Sequence, residues 1–315
     1  MVGFLIVLLA AFFFCFQNII VRVLFNFSNI LGRFETGGFV DPTLQSSLLL
    51  LVMRMLLVVP LMAVLIPKLH PTAWQDIRQL QSLQHRQLLV QSLGGGGLMF
   101  LYLALLYIAI GLIPTGIALT LFFTYPMFTA LFSWQWFGDR PTRLRWLIMG
   151  LILLGSFLTI PQPQNPDATF SLSGIVAAVT AGIAYALYVV NAQKSLKTLH
   201  PIPFTWISFA VTLILSASSL MIWGEPRAET DWIPLWIGGI FSALVTFAGH
   251  VLNNIGIRQI GATSAAMVSA TNPALTVVLA WLTIQETLDI LQISGVLLVT
   301  LSVVLLSQER KFFNP

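Results

Sequence analysis

From Gln87 to Gly138 the chain runs 52 residues without one charged side chain. One helical crossing of a bilayer takes about 20 residues, so this stretch is too long for a single span. It is also too apolar to stay wet on the surface of a soluble fold. It divides at GLIPTG, Gly111 to Gly116, where Pro114 suits the first turn of a new helix. Two crossings joined by a tight turn follow. The rest of the chain is of one kind with this segment: 57% of the 315 residues are hydrophobic and 8% charged, against roughly 25% charged in a soluble domain.

Ten segments are long and apolar enough to span, at 3–24, 46–66, 88–110, 114–137, 143–160, 171–193, 204–223, 232–254, 262–284 and 289–307. The runs are continuous rather than alternating, which selects helices over a β-barrel. With the N-terminus inside, the cytoplasmic segments hold eleven basic residues, Lys68, Arg78, Arg86, Arg140, Arg143, Arg145, Lys194, Lys197, Arg258, Arg310 and Lys311. The outer segments hold three, Arg22, Arg33 and Arg227. Basic loops stay inside, so the net charge of +4 reflects membrane orientation and not nucleic acid. Eight of the nine tryptophans lie near span ends, as an interfacial belt requires. The ninth, Trp74, falls in PTAWQDIRQLQSLQ, which reads either as a short helix on the membrane surface or as a solvated loop. The N-terminal run lacks a basic n-region and has Phe before Cys15, so it is read as a retained first span. Cys15 is the one cysteine, which precludes an intramolecular disulfide.

The chain repeats itself at an offset of 147. TYPMFTALFSW, from Thr124, corresponds to TNPALTVVLAW, from Thr271, with Thr124/Thr271, Pro126/Pro273, Thr129/Thr276 and Trp134/Trp281 identical and Asp139/Glu286 alike in charge. Gly3 and Gly174 open matching first helices, and Gly150 and Gly295 fall in matching last helices, though an indel of two separates them from the main register. Ten spans divide into five and five: 3–160, a linker at 161–170, 171–307, and a cytoplasmic tail at 308–315. Five is odd, so the second half enters the membrane from the opposite side. The expected fold is therefore all-α and integral to the membrane, with ten transmembrane helices in two inverted-topology five-helix repeats and both termini cytoplasmic. Inverted repeats belong to carriers that expose one central site to each side in turn.

Pro in the fourth span of each half, an acidic residue just past it and a Gly-bearing helix beyond resemble the EamA repeat of the drug/metabolite transporter superfamily. GIRQIGATSAAMVSATNPALTVVLAWLTIQETLDILQISGVLL and the second-span RMLLVVP, Arg54 to Pro60, carry the same resemblance. It covers nearly the whole chain. Departures are Asp139 where the family often has Glu, a two-residue insertion after it, and a long first outer loop at roughly 25–45. The resemblance implies a basket of helices around a central cavity, lined by spans one, three, four, six, eight and nine. Relatives carry amino acids, sugars, polyamines or drugs, so it names no substrate.

Candidate substrate contacts are Arg54, Gln17, Asn18, Tyr102, Tyr125, Tyr185, Tyr188, Asn191, His250 and Asn272. Arg54 lies mid-span, where a charge costs about 2.5–3.5 kcal/mol, and no Asp or Glu lies in a span core to pair with it. It reads as a carboxylate contact or as a structural cation. His250 reads as a proton site or as an interhelical hydrogen bond. Pro126 and Pro273 each remove a backbone donor and suit hinges, which sets Tyr125 and Asn272 beside opened backbone. Tyr185 and Tyr188 share one helix face. The run Gly94 to Gly97 lacks the Lys-Ser/Thr of a phosphate loop and suits close helix packing. Asp139 and Glu286 suit helix caps.

Phosphorylated cargo calls for clustered basic residues, and Arg54 stands nearly alone. Neutral or zwitterionic solutes such as amino acids fit better. No HExxH, GxSxG or CxxC motif occurs, so an enzyme is not expected, and no cofactor or metal is assigned. The expected function is a secondary carrier in the plasma (inner) membrane. Its partners are a small-molecule substrate and the lipid bilayer, with room for a homodimer and no nucleic acid. A receptor on a transporter fold and a membrane-embedded enzyme are the alternatives.

Overall fold

The computed structural model describes residues 2–41, 43–82, 86–113, 115–159, 171–224, 231–284 and 289–313. The linker at 161–170, Pro114, Arg227 and Glu286 lie outside them. The described chain is almost entirely helical: α1 Val2–Phe25, α2 Leu44–Leu69, α3 Ala73–Gln79, α4 Arg86–Leu112, α5 Thr115–Phe122, α6 Tyr125–Phe137, α7 Arg143–Thr159, α8 Leu172–Ser195, α9 Pro201–Trp223, α10 Trp232–Ile260, α11 Ala262–Ser269, α12 Asn272–Ile284 and α13 Ile290–Phe313. Among the described residues eight helical stretches are long and apolar enough to cross a membrane, Ile117–Phe137 and Ala262–Ile284 each counting two short helices as one stretch. The last helix continues to Phe313, through most of the segment read as a tail.

Local signals explain the helix ends. Thr43 caps α2 by accepting from Ser46 N at 3.2 Å. His200 caps α9, with Nδ1 accepting from Ile202 N at 3.4 Å and Pro201 at the first helical position. Gly138, at φ 75°, ends α6 and donates its N–H to Trp134 O. Within PTAWQDIRQLQSLQ the residues Ala73–Gln79 form the helix α3: Ala73 and, just past its end, Leu80 are buried, and Trp74 meets Trp206 edge-on with ring centroids 5.1 Å apart.

One element corrects the all-α expectation. The long loop after α1 holds an antiparallel hairpin, β1 Phe27–Ile30 and β2 Phe34–Gly37, paired Phe27 to Gly37 and Ile30 to Phe34. Its turn sets Leu31 and Gly32 at positive φ. The return strand completes the end of α1, because Gly38 N donates to Val23 O at 3.1 Å and Phe39 N to Leu24 O at 2.9 Å. Those carbonyls would otherwise lack partners. Leu31 N donates to Thr283 O of α12 at 2.7 Å, so the hairpin joins one half of the chain to the other. Sequence patterning misses it because its apolar side chains are exposed, Phe27 at 69% and Phe34 at 67%, and no buried face imposes an alternation.

The two halves pack on each other in the same way. The first helix of one half lies along the third helix of the other: α1 on α10 and α8 on α4. Gly3 is pressed against Ile260 and Gln259, and Gly174 against Ile113 and Leu112; the facing residues, though not the glycines, are 147 positions apart. A Cβ at either glycine would strike the facing helix, so these residues set the crossing distance. Gly95 and Gly96 do the same for α4 on α9, where Phe204 and Val211 face them. In the last helices the contact is between Gly155 and Gly295, where a Cβ on Gly295 would stand 2.7 Å from Gly155 O. Gly150, the position matched to Gly295 in the repeat, faces nothing within 4 Å. Residue identity at matched positions is preserved there without contact.

Both repeats are broken at the same place. The span at 114–137 divides after Phe122 and that at 262–284 after Ser269. In each, a threonine turns its hydroxyl onto the chain it interrupts: Thr124 Oγ1 donates to Leu121 O at 2.6 Å, and Thr271 Oγ1 to Val268 O at 2.8 Å. Proline two residues on supplies no N–H, so the carbonyl four residues before it loses its helical partner. Phe122 O, one of these carbonyls, lies where Gly182 of α8 passes, 2.9 Å from an added Cβ. Only a residue without a side chain lets α8 approach so closely.

Candidate functional site

Arg54 is 7% exposed and lines a narrow cleft whose enclosed volume is about 10 Å³, open on one side. The cleft lies at the hairpin end of the bundle. Val21, Leu24 and Phe25 of α1, Ser47 and Leu50 of α2, Tyr107 of α4 and Ser242 of α10 share it with Arg54 and Gln17. Gln17 is the partner of the guanidinium. With its amide oriented to complement the guanidinium, its oxygen accepts from Arg54 Nη1 at 2.9 Å, and its nitrogen donates to Ser242 O and Thr246 Oγ1, both at 3.0 Å. The reverse orientation would set the amide donor against the guanidinium donors. Arg54 Nε is buried without a partner. Among the described residues no carboxylate pairs with Arg54. The arrangement can bind one anionic group, with the charge held in place by a neutral side chain.

Asn18 and Asn272 meet in a second group. Asn272 Oδ1 accepts from Asn18 Nδ2 at 3.2 Å, Thr276 Oγ1 at 3.1 Å and Cys15 Sγ at 3.2 Å, tying α1 to the start of α12. Asn18 is exposed, yet it lies across α1 from Leu5, Leu9 and Phe12, the outward apolar face. Asn272 takes this position because α12 begins there, one residue before Pro273.

Tyr102, Tyr125, Tyr185 and Tyr188 form a third group around Phe122, all buried. Tyr125 and Tyr185 meet edge-on with centroids 4.6 Å apart, and Tyr102 and Tyr185 at 4.9 Å. Tyr125 OH donates to Ala266 O at 3.3 Å, linking α6 to α11. Tyr188 hydrogen-bonds Asn254, which donates to Thr205 Oγ1 at 2.8 Å. Asn191 Nδ2 donates to Gln91 O at 2.9 Å, an interhelical bond between α8 and α4. His250 is buried with its ring edge-on to Phe14 at 4.9 Å and Phe209 at 5.3 Å, and its Nδ1 has no partner.

The ten residues singled out in the sequence are therefore distributed over several environments. Arg54 and Gln17 form one built site, Asn18 and Asn272 a junction between the halves, and the tyrosines a buried plug. Tyr107, Ser242 and Thr246 were not expected. The spacing of Ser242 and Thr246, one helical turn apart, is a signal of one shared face. Which side of α10 faced Gln17 was not readable from that spacing.

The model of the EamA-like transporter family matches residues 39–160 and 172–308. An uncharacterized transporter of Synechocystis sp. is 55% identical over 310 residues, spanning 98% of this chain and 94% of its own. The threonine/homoserine exporter RhtA of Escherichia coli is 28% identical over 210 residues, 67% of each chain. The pseudopaline exporter CntI of Pseudomonas aeruginosa is 26% identical over 223 residues, 67% of this chain and 72% of its own. A solved crystal structure superposes over 99% of both chains with a TM-score of 0.72 at 14% identity, a likeness of fold. One family model thus matches twice, once in each of the halves that pack on each other alike, and the chain belongs to the EamA-like transporter family.

Proposed function

We propose that this protein is a secondary carrier for a small neutral or zwitterionic metabolite bearing one carboxylate, amino-acid-like in character, moved by alternating access. The observation that carries the reading is the buried Arg54, held by Gln17 and open to a cleft with no fixed acid. A lone guanidinium suits one carboxylate and is too little charge for a phosphate. The names of the amino-acid and pseudopaline exporters among the relatives support small organic cargo.

The proposal takes ten crossings as two inverted five-helix repeats, with the hairpin outside and both termini in the cytoplasm of a cell with this protein in its plasma membrane. α7 has 17 residues and rises about 26 Å, within reach of a core of about 30 Å with local thinning. The apolar stretch Ile290–Leu306 of α13 packs against it. The matched breaks before Pro126 and Pro273 are the hinges, and Asn18, Asn272 and the tyrosine group line the path of the substrate.

The test is counterflow in proteoliposomes loaded with unlabelled amino acids and small organic acids, read by mass spectrometry with and without a pH gradient. Specific exchange of one compound, indifferent to the gradient, is the expected result. Accumulation driven by the gradient would move the coupling role to His250. Absence of flux from folded protein for every compound would favour a receptor on this fold.

A further inference from the structure

We infer that Arg54 makes this carrier an obligatory exchanger: the bundle passes between its two open states only when a substrate carboxylate occupies the cleft, and the empty protein does not. The inference rests on the carrier reading above and adds to it the rule by which the carrier moves.

Alternating access requires the cleft to close before it opens elsewhere. Closing strips water from the groups inside. Arg54 is already 7% exposed and keeps only Gln17, a neutral partner, on Nη1, while Nε has none. Closing the empty cleft would strand a cation among Val21, Leu24, Phe25 and Leu50 with no counter-charge. A buried ion whose partner is missing is strongly disfavoured, whereas one in a hydrogen-bonded pair is tolerated. No Asp or Glu in any span core can swing in to replace the missing anion. The substrate carboxylate is then the only counter-charge that travels with the site. It binds the closed state far better than any neutral solute does, and only such a difference in affinity shifts a conformational equilibrium. The ammonium of a zwitterion has phenol, hydroxyl and amide oxygens of Tyr107, Ser47 and Gln17 within the same cleft, and aromatic rings beside them. Gln17 is the second half of the device. It anchors the guanidinium without neutralising it, and a carboxylate at this position would satisfy Arg54 permanently.

The experiment compares two sets of proteoliposomes in a buffer whose only anion is a bulky sulfonate, which denies the site both a small inorganic anion and a carboxylate. One set holds an unlabelled mixture of the proteinogenic amino acids, the other buffer alone. Both receive a uniformly 13C-labelled amino-acid mixture outside, and initial entry is read by mass spectrometry. The expected result is entry at least about tenfold faster into the loaded vesicles. Equal entry into both sets would overturn the exchange rule and leave the carrier reading standing. No entry into either set would remove both.

Gln17→Glu and Arg54→Gln separate the device from a general loss of folding. Gln17→Glu keeps the size of the side chain and supplies the missing anion. Its counterflow should fall, and the remaining flux should no longer depend on internal substrate. Arg54→Gln should bring the ratio of loaded to empty entry toward one. A variant of either kind that retains flux together with the full tenfold preference would sink the assignment to Arg54.

Discussion

Thr124 and Thr271, 147 residues apart, make one and the same hydrogen bond, each hydroxyl donating to the carbonyl three residues back, Leu121 O at 2.6 Å and Val268 O at 2.8 Å. The backbone around them repeats too: Phe123 N donates to Leu119 O and Ala270 N to Ala266 O, again 147 apart. A duplicated sequence has here kept a duplicated break, at the last bond before each helix is interrupted.

The breaks should be needed for movement and not for insertion. Replacing Pro126 or Pro273 by Ala restores an N–H and lets the helix run on. Each variant is expected to insert normally and to slow counterflow several-fold, on the order of one kcal/mol in the barrier. Fluorescence size-exclusion and initial counterflow rates check the two halves of the statement, and unchanged flux in both variants would end the hinge argument.

The contact between α7 and α13 depends on Gly155 and Gly295. Gly295→Ala sets a methyl 2.7 Å from Gly155 O, a backbone atom that cannot turn away. Overpacking of this kind costs about 1–3 kcal/mol. Gly150→Ala meets open space and gains up to about 1 kcal/mol of helix propensity. Melting in detergent should fall for the first variant and hold or rise for the second.

Gly37 sits at φ 122°, with Asn26 O and Val23 O where a side chain would go. Gly37→Ala should therefore release the hairpin from the end of α1. Arg33 in the turn offers a direct readout. Tryptic cleavage there is expected to accelerate by about tenfold, the equivalent of 1.4 kcal/mol of local opening. Cleavage at the native rate would show that the strand tolerates the added carbon.

His200 and His70 stack with centroids 4.0 Å apart and planes 11° from parallel, at the ends of α9 and α2. Burial first, then the neighbouring His70 and Arg258, hold the pKa of His200 below its ordinary 6.5. Between the lowered value and about 6.5 the unfolded chain binds this proton more readily than the folded protein. The contribution is complete above about pH 6.5 and is lost as pH falls through the window below it. Melting temperature should therefore drop on acidification, and His200→Gln should flatten that slope. An identical slope in the variant would assign the effect to other groups.

Much of this molecule is written locally. The 52 uncharged residues from Gln87 to Gly138 commit the chain to a membrane because no water-exposed surface accommodates them. Half of the glycine run at 94–97 is packing, since Gly95 and Gly96 face α9 while Gly94 and Gly97 meet nothing within 4 Å. Pro126 and Pro273 mark interruptions wherever they stand, because a missing N–H is a property of the residue itself. The family follows from the same text, because the repeated motif carries its own spacing.

What the sequence determined by itself was thus apolar helices, their breaks and the duplication; the caps were not among them, since Thr142 rather than Asp139 accepts from Arg145 N at the start of α7, at 3.2 Å. Only the tertiary structure decided which polar residues share an environment. Gln17 and Arg54, 37 positions apart, meet because α1 and α2 both run beside α10, and nothing in either helix announces the other. Asn272 gathers Cys15, Asn18 and Thr276 for the same reason. The hairpin, short and outward-facing, leaves no periodic trace and is held by the end of α1 and by Thr283 of α12. Periodicity records which side of a helix is apolar, but the partner across an interhelical contact depends on crossing distance, and that distance is set by glycines such as Gly3 and Gly174 pressing on helices from the other half.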